Sequence, residues 1–192
     1  MNPDQALQQL IEGNARFVAG QMTHPDEIME RRLAVREGQK PFAVVLACSD
    51  SRTPPLIIFD CQLGDLFIVR IAGNVAGDHA IGSMELAVDE FGVPLIMVLG
   101  HRRCGAVYAT LQDREHTGNI SKIVEHIMPS VEKVRNDPGD IWDNAARAHV
   151  VQIVEELRSP QSHFYQYIQQ GKLKIVGGFY CIDTWQVEII TP

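Results

Sequence analysis

Two short apolar runs constrain the fold of this 192-residue chain more than any other feature, because each stops abruptly at residues that carry chemistry. Phe42-Ala43-Val44-Val45-Leu46-Ala47 leads straight into Cys48-Ser49-Asp50-Ser51-Arg52, and Leu95-Ile96-Met97-Val98-Leu99 breaks at Gly100 into His101-Arg102-Arg103-Cys104. Unbroken apolar runs of this length read as strands covered on both faces, the pattern of parallel sheets. Open α/β sheets place their ligands beyond the carboxyl ends of such strands. Two neighbouring strand ends are therefore expected to present Cys48, His101 and Cys104 together.

One imidazole and two sulfurs make a borderline-soft donor set that suits zinc better than magnesium, calcium or manganese. Three protein ligands leave a fourth position open, as a catalytic zinc requires, whereas structural sites are closed by four. Water would take that position, or else Asp50, which lies two residues from Cys48. Taken singly, a cysteine is more often a small buried hydrophobe and a histidine after a strand is usually just hydrogen-bonded. All three at strand ends, flanked by Gly100 and Gly105, outweigh that reading.

No linker-like stretch divides the chain, and 45% hydrophobic residues can bury one good core, so a single domain over residues 1–192 is expected. A net charge of −7 and an isoelectric point near 5.4 speak against a nucleic-acid partner, which wants a clustered basic surface. With Cys48 and Cys104 used as metal thiolates, only Cys61 and Cys181 remain, which fits a reducing compartment, the cytoplasm, better than a disulfide framework. Met1-Asn2-Pro3-Asp4-Gln5 lacks a basic region followed by an apolar core, so no secretory signal is expected. No apolar run approaches the ~20 residues of a membrane span.

In chain order, Ala6, Leu7, Leu10, Ile11, Ala15, Phe17 and Val18 recur at helical spacing up to Gly20. His24-Pro25-Asp26 opens a charged helix over residues 24–36, and Gly38-Gln39-Lys40-Pro41 turns into the first strand. After Thr53-Pro54-Pro55 a short helix is expected at 56–59, then a strand at 65–69, a loop carrying Gly73, Asn74 and Gly77, a helix at 81–91 and a strand at 94–99. Helices are expected at 103–111, 120–134, 141–157 and 164–169, with free amides of the first favouring a thiolate at Cys104. Alternation over 173–182 and 185–190 predicts a closing hairpin. Together these give an α/β class, a three-layer α/β/α sandwich around a mostly parallel sheet.

Cys48-Ser49-Asp50-Ser51-Arg52, followed about fifty residues later by Gly100-His101-Arg102-Arg103-Cys104-Gly105, resembles the paired signature of the β-class carbonic anhydrases. The likeness extends to the opening helix around Gly13-Asn14-Ala15-Arg16-Phe17, to Ala72-Gly73-Asn74, and to Gly178-Phe179-Tyr180 with Asp183-Thr184. The resemblance implies four parallel strands plus an antiparallel edge strand, and an N-terminal helix that reaches onto a second subunit in a homodimer or dimer of dimers. It also implies zinc-dependent, reversible hydration of carbon dioxide to bicarbonate and a proton, with the ion supplying hydroxide near neutral pH.

In that setting Asp50 would accept a hydrogen bond from the nucleophile, and Arg52 would hold Asp50 ionised and oriented. Gln39, nine residues before Cys48, matches a glutamine that contacts substrate in one branch of the family, and Gly105 would let backbone approach the reacting group. The chain departs from the family pattern at Leu86, where tyrosine is usual, and at Cys181 and Trp185, where aspartate and glycine are usual. Leu86 is expected to make the pocket or a dimer contact more apolar. The bicarbonate-inhibited branch carries tryptophan where Val45 stands, so an open site is expected over one closed by Asp50. Two other readings compete: a hydrolase of carbonyl sulfide or carbon disulfide on the same residues, and a weakly active zinc-binding homologue with a regulatory role.

Overall fold

The computed structural model describes residues 1–23, 28–112 and 114–192. Helix α1 (Pro3–Val18) starts where the Asn2 side chain accepts a hydrogen bond from the Gln5 amide at 2.9 Å and the Gln5 side chain accepts one from the Asn2 amide, a reciprocal cap. It ends before Gly20, whose φ of +66° suits glycine. Its Ala6, Leu10, Gly13 and Asn14 are buried against its own chain. Helix α2 (Ile28–Ala34) follows; its expected opening at His24-Pro25-Asp26 lies outside the described residues.

Strands β1 (Ala43–Ala47), β2 (Leu66–Arg70), β3 (Leu95–His101) and β4 (Lys174–Tyr180) are mutually parallel, and β5 (Val187–Thr191) runs antiparallel to β4. The sheet order is β2-β1-β3-β4-β5, the expected four parallel strands with an antiparallel edge. The remaining helices are α3 (Pro55–Ile58), α4 (Asp78–Phe91), α5 (Gly105–Leu111), α6 (Ile120–Lys133), α7 (Ile141–Arg158) and α8 (Tyr165–Gln169), with a 3₁₀ turn at Ala72–Asn74. No helix among the described residues is long and apolar enough to cross a membrane.

The two central strands are buried on both faces, which is why they read as unbroken apolar runs. Val44 and Leu46 of β1, with Ile96 and Val98 of β3, face Met84 of α4 and Val150, Ile153 and Val154 of α7. The alternate residues Val45, Ala47, Met97 and Leu99 face Ala6 and Leu10 of α1 and Ile58 of α3. Each such valine, leucine, isoleucine or methionine contributes about 1.5–3 kcal/mol by leaving water.

Three boundaries differ from the sequence expectation in ways that matter. Strand β3 runs on to His101, so this residue is held in register opposite Tyr180 rather than in a loop. Helix α5 begins at Gly105, with Cys104 in the capping position. The first strand of the closing hairpin also pairs in parallel with β3, so one segment supplies both the fourth parallel strand and the hairpin.

Gly100 is required by packing rather than by backbone conformation. A Cβ at this position would lie 2.4 Å from Val150 Cγ2 on α7. Val150 is stiff at χ1 and cannot step aside cheaply. Gly100→Ala is expected to destabilise by about 1–3 kcal/mol, and Val150→Ala in the same chain to recover part of it. Thermal unfolding of the single and double variants checks this; equal midpoints for wild type and Gly100→Ala would refute it.

Candidate metal centre

The sheet order places β2 on one side of β1 and β3 on the other, so the chain changes direction between β1 and β3. A crevice opens beyond the carboxyl ends of strands at such a point. Cys48 directly follows β1, His101 is the last residue of β3, and Cys104 stands between β3 and α5. One ligand atom from each lies within 4.8 Å of the others, and all three residues are buried. The sequence-predicted donor set thus converges.

Three details test whether this cluster fits zinc. The two sulfurs are 3.9 Å apart, close to the ~3.8 Å edge of a tetrahedron with Zn–S bonds of ~2.3 Å. His101 Nδ1 lies 3.0 Å from the Arg102 carbonyl, which can only accept, so Nδ1 carries the proton. His101 Nε2 is then a bare lone pair, buried and without a hydrogen-bond partner. A buried unpaired acceptor facing two sulfurs is costly unless a cation sits between them. Imidazole with two thiolates suits zinc.

The sulfurs are not equivalent. Hydrogen bonding from Cys104 draws the Cys48 thiol well down against its burial, helped by the Asp50 and Gly73 amides. Those amides lie 3.4 and 3.2 Å from Cys48 Sγ. Cys104 is pushed up by the neighbouring Cys48 and by burial, although the Ala106 and Val107 amides at the start of α5 favour its anion. The helix amides do act on Cys104 as the sequence predicts, but the adjacent sulfur outweighs them. A divalent cation taking the place of the shared proton removes this conflict.

Asp50 and Arg52 form a two-pronged pair beside the cluster. Arg52 Nε and Nη2 donate to Asp50 Oδ1 and Oδ2 at 2.9 and 2.7 Å, and the Arg52 backbone amide donates to Oδ1 at 2.9 Å. This pairing holds the Asp50 carboxyl down at about 2, chiefly through the Arg52 side chain. With both oxygens engaged, Asp50 stands off the three-residue donor group.

Gln39 does not join them. It is exposed and precedes β1 at its amino end, whereas Cys48 lies at the carboxyl end, a strand length of about 17 Å away. Any hydrogen bond from Gln39 to substrate would have to be made at the site of another chain. Gly105 is exposed and a Cβ there would meet nothing within 4 Å, so no packing within the chain explains it. Leu86 is 51% exposed on α4. Trp185 takes φ +63°, a conformation natural to the glycine usual there, and its exposed ring packs 6.1 Å from Phe17.

Sequence reasoning missed the residues that brace the cluster. Arg70, the last residue of β2, donates to the Cys48 carbonyl at 2.9 Å and the Asp50 carbonyl at 2.6 Å. Thr53 Oγ1 donates to the same loop. Gly73, at φ +68°, turns its amide onto Cys48 Sγ, and a Cβ there would strike Ile127 at 2.8 Å. An arginine ending an apolar strand was the available signal for Arg70. The glycine's role required the fold.

The other two cysteines sit in opposite surroundings. All four are free. Burial pushes the Cys61 thiol up to about 12, with Asp65 and Asp60 adding to it, whereas the Thr184 hydroxyl, neighbouring amides and Arg102 lower Cys181. The thiolate is the nucleophile. In zinc-loaded protein at pH 7.5, iodoacetamide is expected to label Cys181 well before Cys61; peptide mass mapping that finds Cys61 labelled first would refute this.

Comparison with known proteins gives the family. The family model described as carbonic anhydrase matches residues 43–187. The chain belongs to the β-carbonic anhydrase family. It is 41% identical over 192 residues to a carbonic anhydrase of Mycolicibacterium smegmatis, covering 98% of this chain and 93% of the relative. It is 43% identical over 186 residues to carbonic anhydrase 2 of Mycobacterium tuberculosis, covering 95% and 90%. Among solved structures, a tetrameric β-carbonic anhydrase of Sordaria macrospora superposes with a TM-score of 0.76 at 19% identity, covering 97% of each chain. The Coccomyxa enzyme in complex with acetazolamide gives 0.75 at 24% identity, covering 96% of this chain and 86% of that one. At these identities the structural matches carry the fold alone.

Proposed function

We propose that this chain catalyses the reversible hydration of carbon dioxide to bicarbonate and a proton, with zinc held by Cys48, His101 and Cys104. The observation that carries this reading is the bare, buried His101 Nε2 facing two sulfurs at tetrahedral spacing, in a chain of this family. Zinc bound there supplies Lewis acidity that makes water nucleophilic near neutral pH. Two thiolates offset most of the ion's charge, so the surrounding residues carry more of the burden than in an all-histidine site.

Asp50 accepts a hydrogen bond from the attacking water, aligning an oxygen lone pair with the substrate carbon. Arg52 keeps that carboxylate ionised and fixed in orientation, because both of its oxygens are already engaged. That geometry supports the open form of the site. The amides of Asp50 and Gly73 stabilise the charge on Cys48. Substrate contacts from Gly105, and from Gln39 acting at a second chain, belong to this reading, as does assembly into dimers or dimers of dimers. Cytoplasmic residence fits the four free cysteines.

Stopped-flow hydration of carbon dioxide by the zinc-loaded protein, with carbonyl sulfide hydrolysis measured in parallel, tests the proposal. A rate well above buffer that collapses in Asp50→Asn is expected. Faster turnover of carbonyl sulfide would move the assignment to that substrate, and buffer-level rates for both would leave a non-catalytic zinc protein.

A further inference from the structure

We propose that Trp142, on the first turn of α7, is a positioning residue for the metal ligand Cys104, acting through its indole N–H. This inference rests on the zinc reading above and adds a residue outside the signature motifs. Trp142 Nε1 donates to the Cys104 carbonyl at 2.7 Å. The same carbonyl accepts the Tyr108 amide at 3.0 Å, the first helical bond of α5. Both lone pairs of that oxygen are therefore used, and the peptide following Cys104 is pinned from two directions.

The pinning matters because the preceding residue is strained. Arg103 takes φ +55°, a region that costs a non-glycine residue free energy and persists only where its surroundings over-determine it. Relaxing Arg103 would displace the adjoining Cys104. The indole is itself packed, its ring 4.8 Å from that of Tyr108, and the Trp142 amide donates to the capping Asp140 side chain at 2.9 Å.

The same face of α7 braces the other two ligands. Asp143 forms an ion pair with Arg102 at 3.1 Å, and the Arg102 carbonyl fixes the His101 tautomer. One and two turns further on, Ala146 and Val150 pack against Gly100, and the buried His149 faces the backbone of Gly73, whose amide holds Cys48 Sγ. Trp142 is the member of this face with a direct hydrogen bond to a ligand residue. Loss of a group that orients a metal ligand typically weakens metal binding 10–100-fold.

The test compares Trp142→Phe, which keeps an aromatic ring but loses the N–H, with Tyr108→Leu, which loses the ring contact but leaves the N–H. Zinc affinity is read by competition with a chromophoric chelator, and folding by circular dichroism of the metal-free proteins. The expected result is ~10–100-fold weaker zinc binding in Trp142→Phe with unchanged circular dichroism, and near wild-type affinity in Tyr108→Leu. Wild-type affinity in Trp142→Phe, or an equal loss in Tyr108→Leu, would overturn the proposal.

A second measurement covers the case in which Trp142→Phe fails to fold. In Trp185→Phe, Trp142 is the remaining tryptophan, and its emission maximum is expected to shift when zinc is removed. Emission indifferent to zinc would count against the proposal. A wild-type protein that binds no zinc would defeat the metal reading itself, an outcome distinct from zinc-binding wild type with an equally tight Trp142→Phe.

Discussion

Cys48→Ser loses its zinc and, with it, carbon dioxide hydration above the buffer rate. The loss in affinity is expected to exceed the ~10–100-fold typical of residues that only orient a ligand, because a serine hydroxyl does not ionise at neutral pH as this thiol does. Cys48 is 5% exposed and serine is slightly smaller, so the fold survives the exchange. Elemental analysis after gel filtration is expected to give about one zinc per wild-type chain and almost none for the variant. Cys61→Ser and Cys181→Ser keep theirs. Cys48→Ser retaining stoichiometric zinc and wild-type turnover would overturn the assignment of the donor set.

The same centre predicts a pH dependence of metal uptake. Cys104 holds its proton because Cys48 beside it is already anionic. Zinc must displace that proton, so affinity rises with pH and uptake in weakly buffered solution releases about one proton per zinc from this pair. Anything that binds only the folded state stabilises it, by ~4 kcal/mol at a thousand times its dissociation constant. A chelator is therefore expected to lower the unfolding temperature of the wild type and leave that of Cys48→Ser unmoved.

The second large effect lies at Arg52. Arg52→Ala is expected to keep its zinc and lose ~10–100-fold in kcat/KM, separating it from the cysteine variant. The guanidinium supplies two parallel hydrogen bonds to Asp50, at 2.9 and 2.7 Å, and keeps its carboxyl at about 2. Without that fork the carboxylate is free to turn towards the neighbouring cation and occupy the position that water needs. Arg52→Lys is expected to recover little, since an ammonium group cannot reproduce a planar two-pronged contact. Rates of both variants across pH 6–9, measured alongside zinc content, decide the matter. Wild-type kcat/KM in Arg52→Ala would remove Arg52 from the mechanism.

Much of this protein was legible in the linear chain because its central strands are covered on both faces. Val44, Leu46, Ile96 and Val98 serve one core and their neighbours the other, so no polar residue interrupts the runs, and the ligands follow at their ends. The donor types likewise suit zinc by their own chemistry. Hidden from the sequence were contacts between segments far apart in the chain: Arg70 to the Cys48 loop, Gly73 to the Cys48 sulfur, Trp142 to the Cys104 carbonyl. Backbone amides and carbonyls act in each of these, and they look alike at every position.

Residue identity by itself therefore determined the class of fold, a donor set suited to zinc and the pair of side chains beside it, since local hydrophobic pattern and ligand softness are properties a residue carries wherever it stands. Tertiary structure alone decided which sulfur bears the charge, which imidazole nitrogen is free, why Gly100 and Gly73 tolerate no side chain, and that Gln39 lies a strand length from the cluster. Those properties depend on distances between groups, and only the folded chain sets them.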